Sequence, residues 1–293
     1  MSDYSEGFKK ILEICHKVSL PKFEFYTSDE CVFHFTSLSG LIKIIETKKL
    51  WATDLRYLND AQEMDYGTSL IREELSAFKS RGMVSVTARN LIDEILTTMD
   101  SFRFSAAAAC FCKDGDHLGQ WRGYADRGVG CSIGFKIGEL AGIPKFSIHK
   151  VIYNINEQKD AIHKFIEEYV NSYCDIYGNK KDQESVDATY RCIFALEYMC
   201  ATFKHPSFFE ENEYRLINST TDLLDDMKFR AGKNYIVPYI EIDLNSMKEM
   251  GIQYLILGPG SDPILAEEGI SRFMKLNGCH NVEITRSTIP YRT

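Results

Sequence analysis

"CVFHFTSLSGLIKIIETKKLWATD", residues 31–54, decides how the fold begins. Cys31–Thr36 alternates aromatic and polar side chains with the period of a strand. Phe33 and Phe35 therefore take one face, and His34 and Thr36 the other. Leu38, Leu41, Ile42 and Ile45 then recur at helical spacing, and Leu50–Asp54 returns to an extended segment. Burying a polar group without a partner is costly, so His34, Thr36 and Ser37 need a reason to sit here. One reading is structural: the imidazole meets a neighbouring backbone group, and Thr36 or Ser37 caps the following helix. The other is functional: a polar strand end that hydrogen-bonds a ligand.

Working outward, helical patterns cover 3–18, 61–79, 86–99, 156–176, 184–203 and 263–277. Core strands are expected near 31–36, 101–135, 146–154, 212–218, 234–243, 253–257 and 281–286, with a short helix around Gln120–Ala125 inside the second of these stretches. Strands and helices interleave without a βαβ rhythm. Gly258-Pro-Gly260-Ser-Asp262 lacks the strand and helix context of a dinucleotide fingerprint. The expected class is α+β, with a mixed or antiparallel central sheet in a single domain, 1–293, carrying helical insertions at 61–99 and 156–203.

Bulk properties narrow the function. Of 293 residues, 44% are hydrophobic and 26% charged, as in ordinary globular proteins. A net charge of −8 excludes a chain that is basic all over, though not a local basic groove. The nine cysteines form no CxxC pair and read as reduced, mostly buried thiols of a cytosolic protein, without structural zinc. "FSAAAACFC", residues 104–112, is far too short to span a bilayer, and the first residues carry no signal-peptide core. A cytoplasmic protein without membrane contact is expected.

Four constellations carry candidate chemistry. His34-x-Thr36-Ser37 is the first. In the second, Glu211, Glu213 and Arg215 alternate and would line one face of a strand, where Arg215 or Lys204 balances two like charges. The plain alternative is an exposed Glu–Arg pair of little energetic consequence. In the third, Trp121 and Tyr124 lie one helical turn apart, suited to core packing or to stacking a planar ligand, with Arg122 and Arg127 available for phosphates. The fourth, Asn59-Asp60-x-x-Glu63, reads most simply as a helix cap with an acidic first turn; no ligand pair has a diagnostic metal spacing.

Taken in order, His-x-Thr-Ser, Leu-Trp-Ala-Thr, Asn-Asp-x-x-Glu, Gln-Trp-x-x-Tyr-Ala with Gly-Val-Gly-Cys, Phe-Lys-His-Pro-x-Phe, Glu-x-Glu-x-Arg and Ser-x-x-Pro-Tyr-Arg resemble a bacterial family of unknown function that is frequent in phage-defence neighbourhoods. The match spans about residues 31–292. The opening also resembles DNA-modifying ADP-ribosyltransferase toxins of the DarT kind and RNA-modifying ADP-ribosyltransferase toxins. That resemblance implies a core of two small packed sheets with NAD, the substrate, in a cleft between them. It implies His34 on the nicotinamide ribose, helped by Thr36 or Ser37, and Tyr124 or Trp121 stacking the nicotinamide. Phe35, Asn59 and Arg122 would complete the NAD contacts. Glu213 would be the catalytic carboxylate and Glu211 the group that activates the acceptor. The implied activity is an NAD-dependent transferase with a nucleic-acid acceptor, acting as a toxin or defence effector with an antitoxin partner. A Ser-Thr-Ser motif on a middle strand is missing, and Trp-x-x-Tyr has no secure counterpart in the better-known branches. Two alternatives remain: a non-enzymatic nucleotide- or nucleic-acid-sensing module, and a metal-dependent nuclease using His34, Asp60 and Glu63.

Overall fold

A computed structural model describes residues 4–19, 25, 27–58, 63–82, 84–101, 106–218, 226–245, 247–260 and 263–291. Two compact units divide the chain. The first comprises Met1–Leu20, Leu55–Ala106 and Ile152–Phe209. Its helices are α1 (Glu6–Ser19), α3 (Glu63–Lys79), α4 (Val86–Ser101), α7 (Ile155–Tyr177) and α8 (Gln183–Cys200). The stretches expected as insertions on a single domain thus belong, with α1, to a unit that has its own core. Phe8, Ile11, Ile71, Ile92, Ile162, Tyr169, Ile193 and Leu196 build that core. Asn154 and Asp182 cap α7 and α8, each accepting from backbone N–H groups of the first turn. The Tyr169 hydroxyl, too deep for water, donates to the Ala188 carbonyl at 2.8 Å.

All ten strands described lie in the second unit, Pro21–Asp54, Ala107–Val151 and Glu210–Thr293. They are β1 (Cys31–Thr36), β2 (Lys49–Asp54), β3 (Ala107–Cys112), β4 (Cys131–Lys136), β5 (Phe146–Lys150), β6 (Glu213–Asn218), β7 (Lys228–Ala231), β8 (Ile236–Asp243), β9 (Ile252–Leu257) and β10 (Glu283–Arg286). Helices α2 (Leu38–Thr47), α5 (Leu118–Tyr124), α6 (Ile137–Ala141) and α9 (Pro263–Leu276) accompany them. The order is β10-β9-β4-β1-β3-β2-β8-β7, with β6 also on β3 and β5 outside β6. Every pairing is antiparallel except β9 with β10. The α+β class and the mixed sheet follow the sequence.

Strand β3 is the hub. One edge pairs with β6 from Ala108 to Cys112. The other edge is shared: β2 takes Ala107 and Ala108, while β1 meets it only where Phe33 faces Cys112. The sheet therefore splits along β3, with β1-β4-β9-β10 leaving as one arm and β2-β8-β7 as the other. Alanines at 107, 108 and 109 suit this crossing, because a strand buried on both faces leaves little room for larger side chains.

Alternation sorts the faces. Val32, Phe111, Ile133, Phe135, Ile148, Leu216, Ile240 and Leu255 bury themselves with Leu41 and Ile45 of α2, Leu140 of α6 and Met274 of α9. On the opposite face, a small cluster joins Phe35, Cys112, Trp121 and Ala125. Two short elements escaped the sequence patterns, α6 and β7. Lys-Phe-Arg-Ala of β7 is mostly exposed and carries no buried alternation to read.

The glycines of "GVG" (128–130) and "GPG" (258–260) zip together. The Gly258 N–H donates to the Gly130 carbonyl at 3.0 Å and the Gly260 N–H to the Gly128 carbonyl at 2.9 Å. A Cβ on Gly130 would lie 2.2 Å from the Thr36 carbonyl oxygen, a backbone atom that cannot swing aside. Gly130→Ala should therefore cost about 1–3 kcal/mol. Urea unfolding should show a lower midpoint at unchanged slope.

Candidate active site

His34 pairs with Ile133 of β4 on one edge of β1 but has no partner on the β3 edge. Past Phe33, β1 leaves β3, and the imidazole fills the opening: its Nδ1 lies 2.9 Å from the Cys110 carbonyl oxygen. A carbonyl only accepts, so Nδ1 carries the proton and Nε2 presents a lone pair. The ring meets Phe111 edge-on at 5.8 Å. Burial pulls the imidazole pKa below its ordinary value, against the opposing effect of the Cys110 hydrogen bond, so the ring is neutral at pH 7.

Its neighbours serve structure first. Ser37 is the N-cap of α2, its Oγ accepting from the Gly40 N–H at 3.1 Å. The Thr36 hydroxyl lies where a Cβ on residue 40 would stand, so only glycine fits there. Phe35, expected to touch NAD, is buried edge-on against Trp121, with ring centroids 4.8 Å apart.

Glu213 opens β6, and register locates it. Phe33 pairs with Cys112, and Cys112 with Glu213, so Glu213 lies two strand spacings, ~10 Å, from β1. In-register neighbours share a face. Glu213 therefore shares the face of Phe33, while alternation turns His34 to the other. The two residues come to the same crossing of the sheet but approach it from opposite sides. The Glu213 carboxylate is gripped by Arg215: Nε donates to Oε1 at 2.8 Å and Nη2 to Oε2 at 2.9 Å, with both side chains buried. The exposed pair considered from sequence is thus a buried, bidentate one.

Glu211 is not on the strand. It ends a 3-10 turn, Pro206–Glu211, and Asn212 enters the left-handed region at φ 42° before β6 begins. The expected alignment of Glu211 with Glu213 and Arg215 is broken by this kink, which asparagine tolerates better than most residues. Between the two glutamates, the Cys112 thiol donates to the Glu211 carbonyl at 3.2 Å. Burial pushes that thiol up to about 11, so it is not a thiolate nucleophile at pH 7. All nine cysteines are free.

The aromatic pair separates. Trp121 is completely buried and cannot stack a ligand, which corrects one of the two candidates. Tyr124 is 43% exposed. Arg122 packs its guanidinium over the Tyr291 ring at 5.2 Å. Asn59 and Asp60 lie outside the described residues.

Sequence reasoning missed Asp116. Its carboxylate accepts from the Trp121 indole N–H at 2.8 Å, from the Thr288 N–H at 2.8 Å and hydroxyl at 3.0 Å, and from the Ser287 hydroxyl. This knot explains the closing Ser-x-x-Pro-Tyr-Arg: Ser287 and Thr288 dock on Asp116, and Tyr291 on Arg122. The pairing spans 171 residues of sequence, so no local spacing signalled it.

A family model described as a protein of unknown function (DUF2971) matches residues 120–216. The matched segment opens on Gln120-Trp121 and closes just after Glu213 and Arg215. No curated protein and no solved structure matches the chain.

Burial raises the Asp116 pKa, but hydrogen bonds from Ser287, Thr288 and Trp121 outweigh it and hold the carboxyl below its ordinary value. The stability it contributes is complete above the unfolded value, near ~4, and is lost as pH falls through the lower folded value. Asp116→Asn should be less stable at pH 7 and should lose stability less steeply below pH ~4. Thermal melts across that range check both.

Proposed function

We propose that this chain transfers ADP-ribose from NAD to a nucleic-acid acceptor, with chemistry at the split between β1 and β3. The observation that carries the reading is the buried, bidentate Glu213–Arg215 pair at that crossing, with His34 behind it on the opposite face of the sheet. A sheet divided into arms at this point suits the cleft that the resemblance implies. The finer fold reading, an ADP-ribosyltransferase-like core, belongs to the same proposal.

The residues fit the substrate in kind. Breaking the C1′–N bond releases nicotinamide with the bonding electron pair and leaves positive charge on the ribose, as in glycoside cleavage. Arg215 holds the Glu213 carboxylate in one orientation through two charge-assisted hydrogen bonds. A fixed negative charge beside that centre favours the charged transition state. His34, on the other face, holds the Cys110 carbonyl and so positions β3, the strand on which Glu213 pairs. Tyr124 is the aromatic left to stack. The acceptor's lone pair closes the new bond to C1′, and Glu211, at the kink before β6, takes its proton. Because His34 and Glu213 face opposite sides of the sheet, the ribose lies on the Glu213 face. The resemblance to toxins extends the proposal to a cytoplasmic defence effector with an antitoxin partner.

Nicotinamide release from NAD, followed with RNA, DNA or protein present, tests the reading. Wild type should turn over, and Glu213→Gln should lose about 10²-fold or more in kcat. NAD binding without release would favour the sensing module instead. Full activity in Glu213→Gln would overturn the mechanism.

A further inference from the structure

The arm formed by β2, β8 and β7 carries side chains that the transferase reading leaves unused. Trp51 and Tyr239 stack with centroids 4.4 Å apart. Lys43 and Arg230 each bring a cation to 5.9 Å from the Trp51 ring. Lys49 and Lys228 flank the pair and share one carboxylate, Glu241, at 3.2 and 2.8 Å. Lys233 is exposed in the turn between β7 and β8. Five cations thus face two acids, Glu241 and Asp243, on a chain whose net charge is −8. Tyr235 is 55% exposed in the turn of the same hairpin, whereas Phe229, opposite Pro238, alternates to the other face.

Register gives this cluster a direction. Thr53 pairs with Ala108 and Tyr239 with Thr53, and Lys228 pairs with Tyr239. Trp51, Tyr239, Lys228 and Arg230 therefore lie on the face of β3 that carries Cys112, and so on the face of Glu213. The Arg230 guanidinium is under-used: Nη2 reaches Thr53 Oγ1 only at 3.5 Å, and Nε has no hydrogen-bond partner among the described residues.

We propose that this arm is a binding surface for single-stranded nucleic acid, which reaches the split from the Glu213 side. Phosphates meet Lys43, Lys228, Arg230 and Lys233, and bases stack on the exposed ring of Tyr235 and the half-buried edge of Trp51. Alternating aromatic and cationic side chains are what an unpaired strand requires, since every base offers a stacking face and every linkage a charge. A protein strand adding to the β7 edge fits less well, because lysines along an edge oppose such pairing. The inference names the acceptor site of the transferase proposed above and rests on that reading for its role, although not for binding itself.

Fluorescence anisotropy with a labelled 20-nucleotide single-stranded RNA, a DNA of the same sequence and an RNA duplex tests it without NAD. The single strands should bind more tightly than the duplex, with affinity falling steeply as salt rises. Lys228→Gln with Lys233→Gln should weaken binding about tenfold or more and reduce the salt slope by about two. Tyr235→Ala, in the exposed turn, should weaken binding at unchanged salt slope. Nicotinamide release to water should survive all three substitutions. Equal binding by wild type and the charge variant, no binding at low salt, or preference for the duplex would each overturn the proposal. Intact binding without NAD turnover would overturn the transferase and leave this surface standing.

Discussion

A single residue pair ties β1 to β3, Phe33 against Cys112, and the second unit is arranged around that economy. Because β3 spends one edge on β6, only its other edge is left for β1 and β2, and six residues cannot hold two strands in full register. The sheet must fork. A fork exposes backbone polar groups that a continuous sheet would satisfy, and the imidazole of His34 meets one of them, the Cys110 carbonyl. The polar residue that looked out of place on an aromatic strand substitutes for the missing ladder bond. The structural reading of His34 therefore accounts for its place on the strand.

The β1 arm is braced from its far end. Thr36, Gly130 and Gly258 bring three chain segments to backbone contact, and Asp116 binds the chain's last residues to Trp121. With its indole N–H satisfied and its ring against Phe35, Trp121 sets the height of α5 over the sheet. Tyr124 follows one turn later at the exposed end of that helix. A buried tryptophan held by a charged acceptor thus places an exposed tyrosine, which is why the two rings fare so differently despite their helical spacing.

Long elements were legible because their burial is periodic. β1, α7, α8 and β9 each fell where that pattern put it, and so did α2, although its buried face is Leu41, Ile44 and Ile45 while Leu38 and Ile42, expected on it, are exposed. Short or exposed elements such as α6 and β7 offer no period. The site was legible as a set of residue types, less so as geometry. Alternation within β1 correctly gave His34 and Thr36 one face, but nothing in the sequence said that β6 begins after a left-handed Asn212, which takes Glu211 out of line. Nor could it show that Cys112 mediates between Phe33 and Glu213 in one row across three strands.

The Glu213–Arg215 pair is the place where stability and chemistry pull against each other. Burying two charges is expensive, and a bidentate pair recovers that cost only when both partners remain. Arg215 therefore fixes the carboxylate in one rotamer and offsets the cost of burying its charge. Such a group is poorly suited to shuttling protons, since its charge is spoken for. It is well suited to a reaction whose transition state is cationic and whose bond breaks without proton transfer. In the proposed transfer the acceptor's proton is assigned to Glu211, which the kink at Asn212 takes off the strand. Division of labour between two glutamates follows from their different backbones, one held by the sheet and the other by a turn.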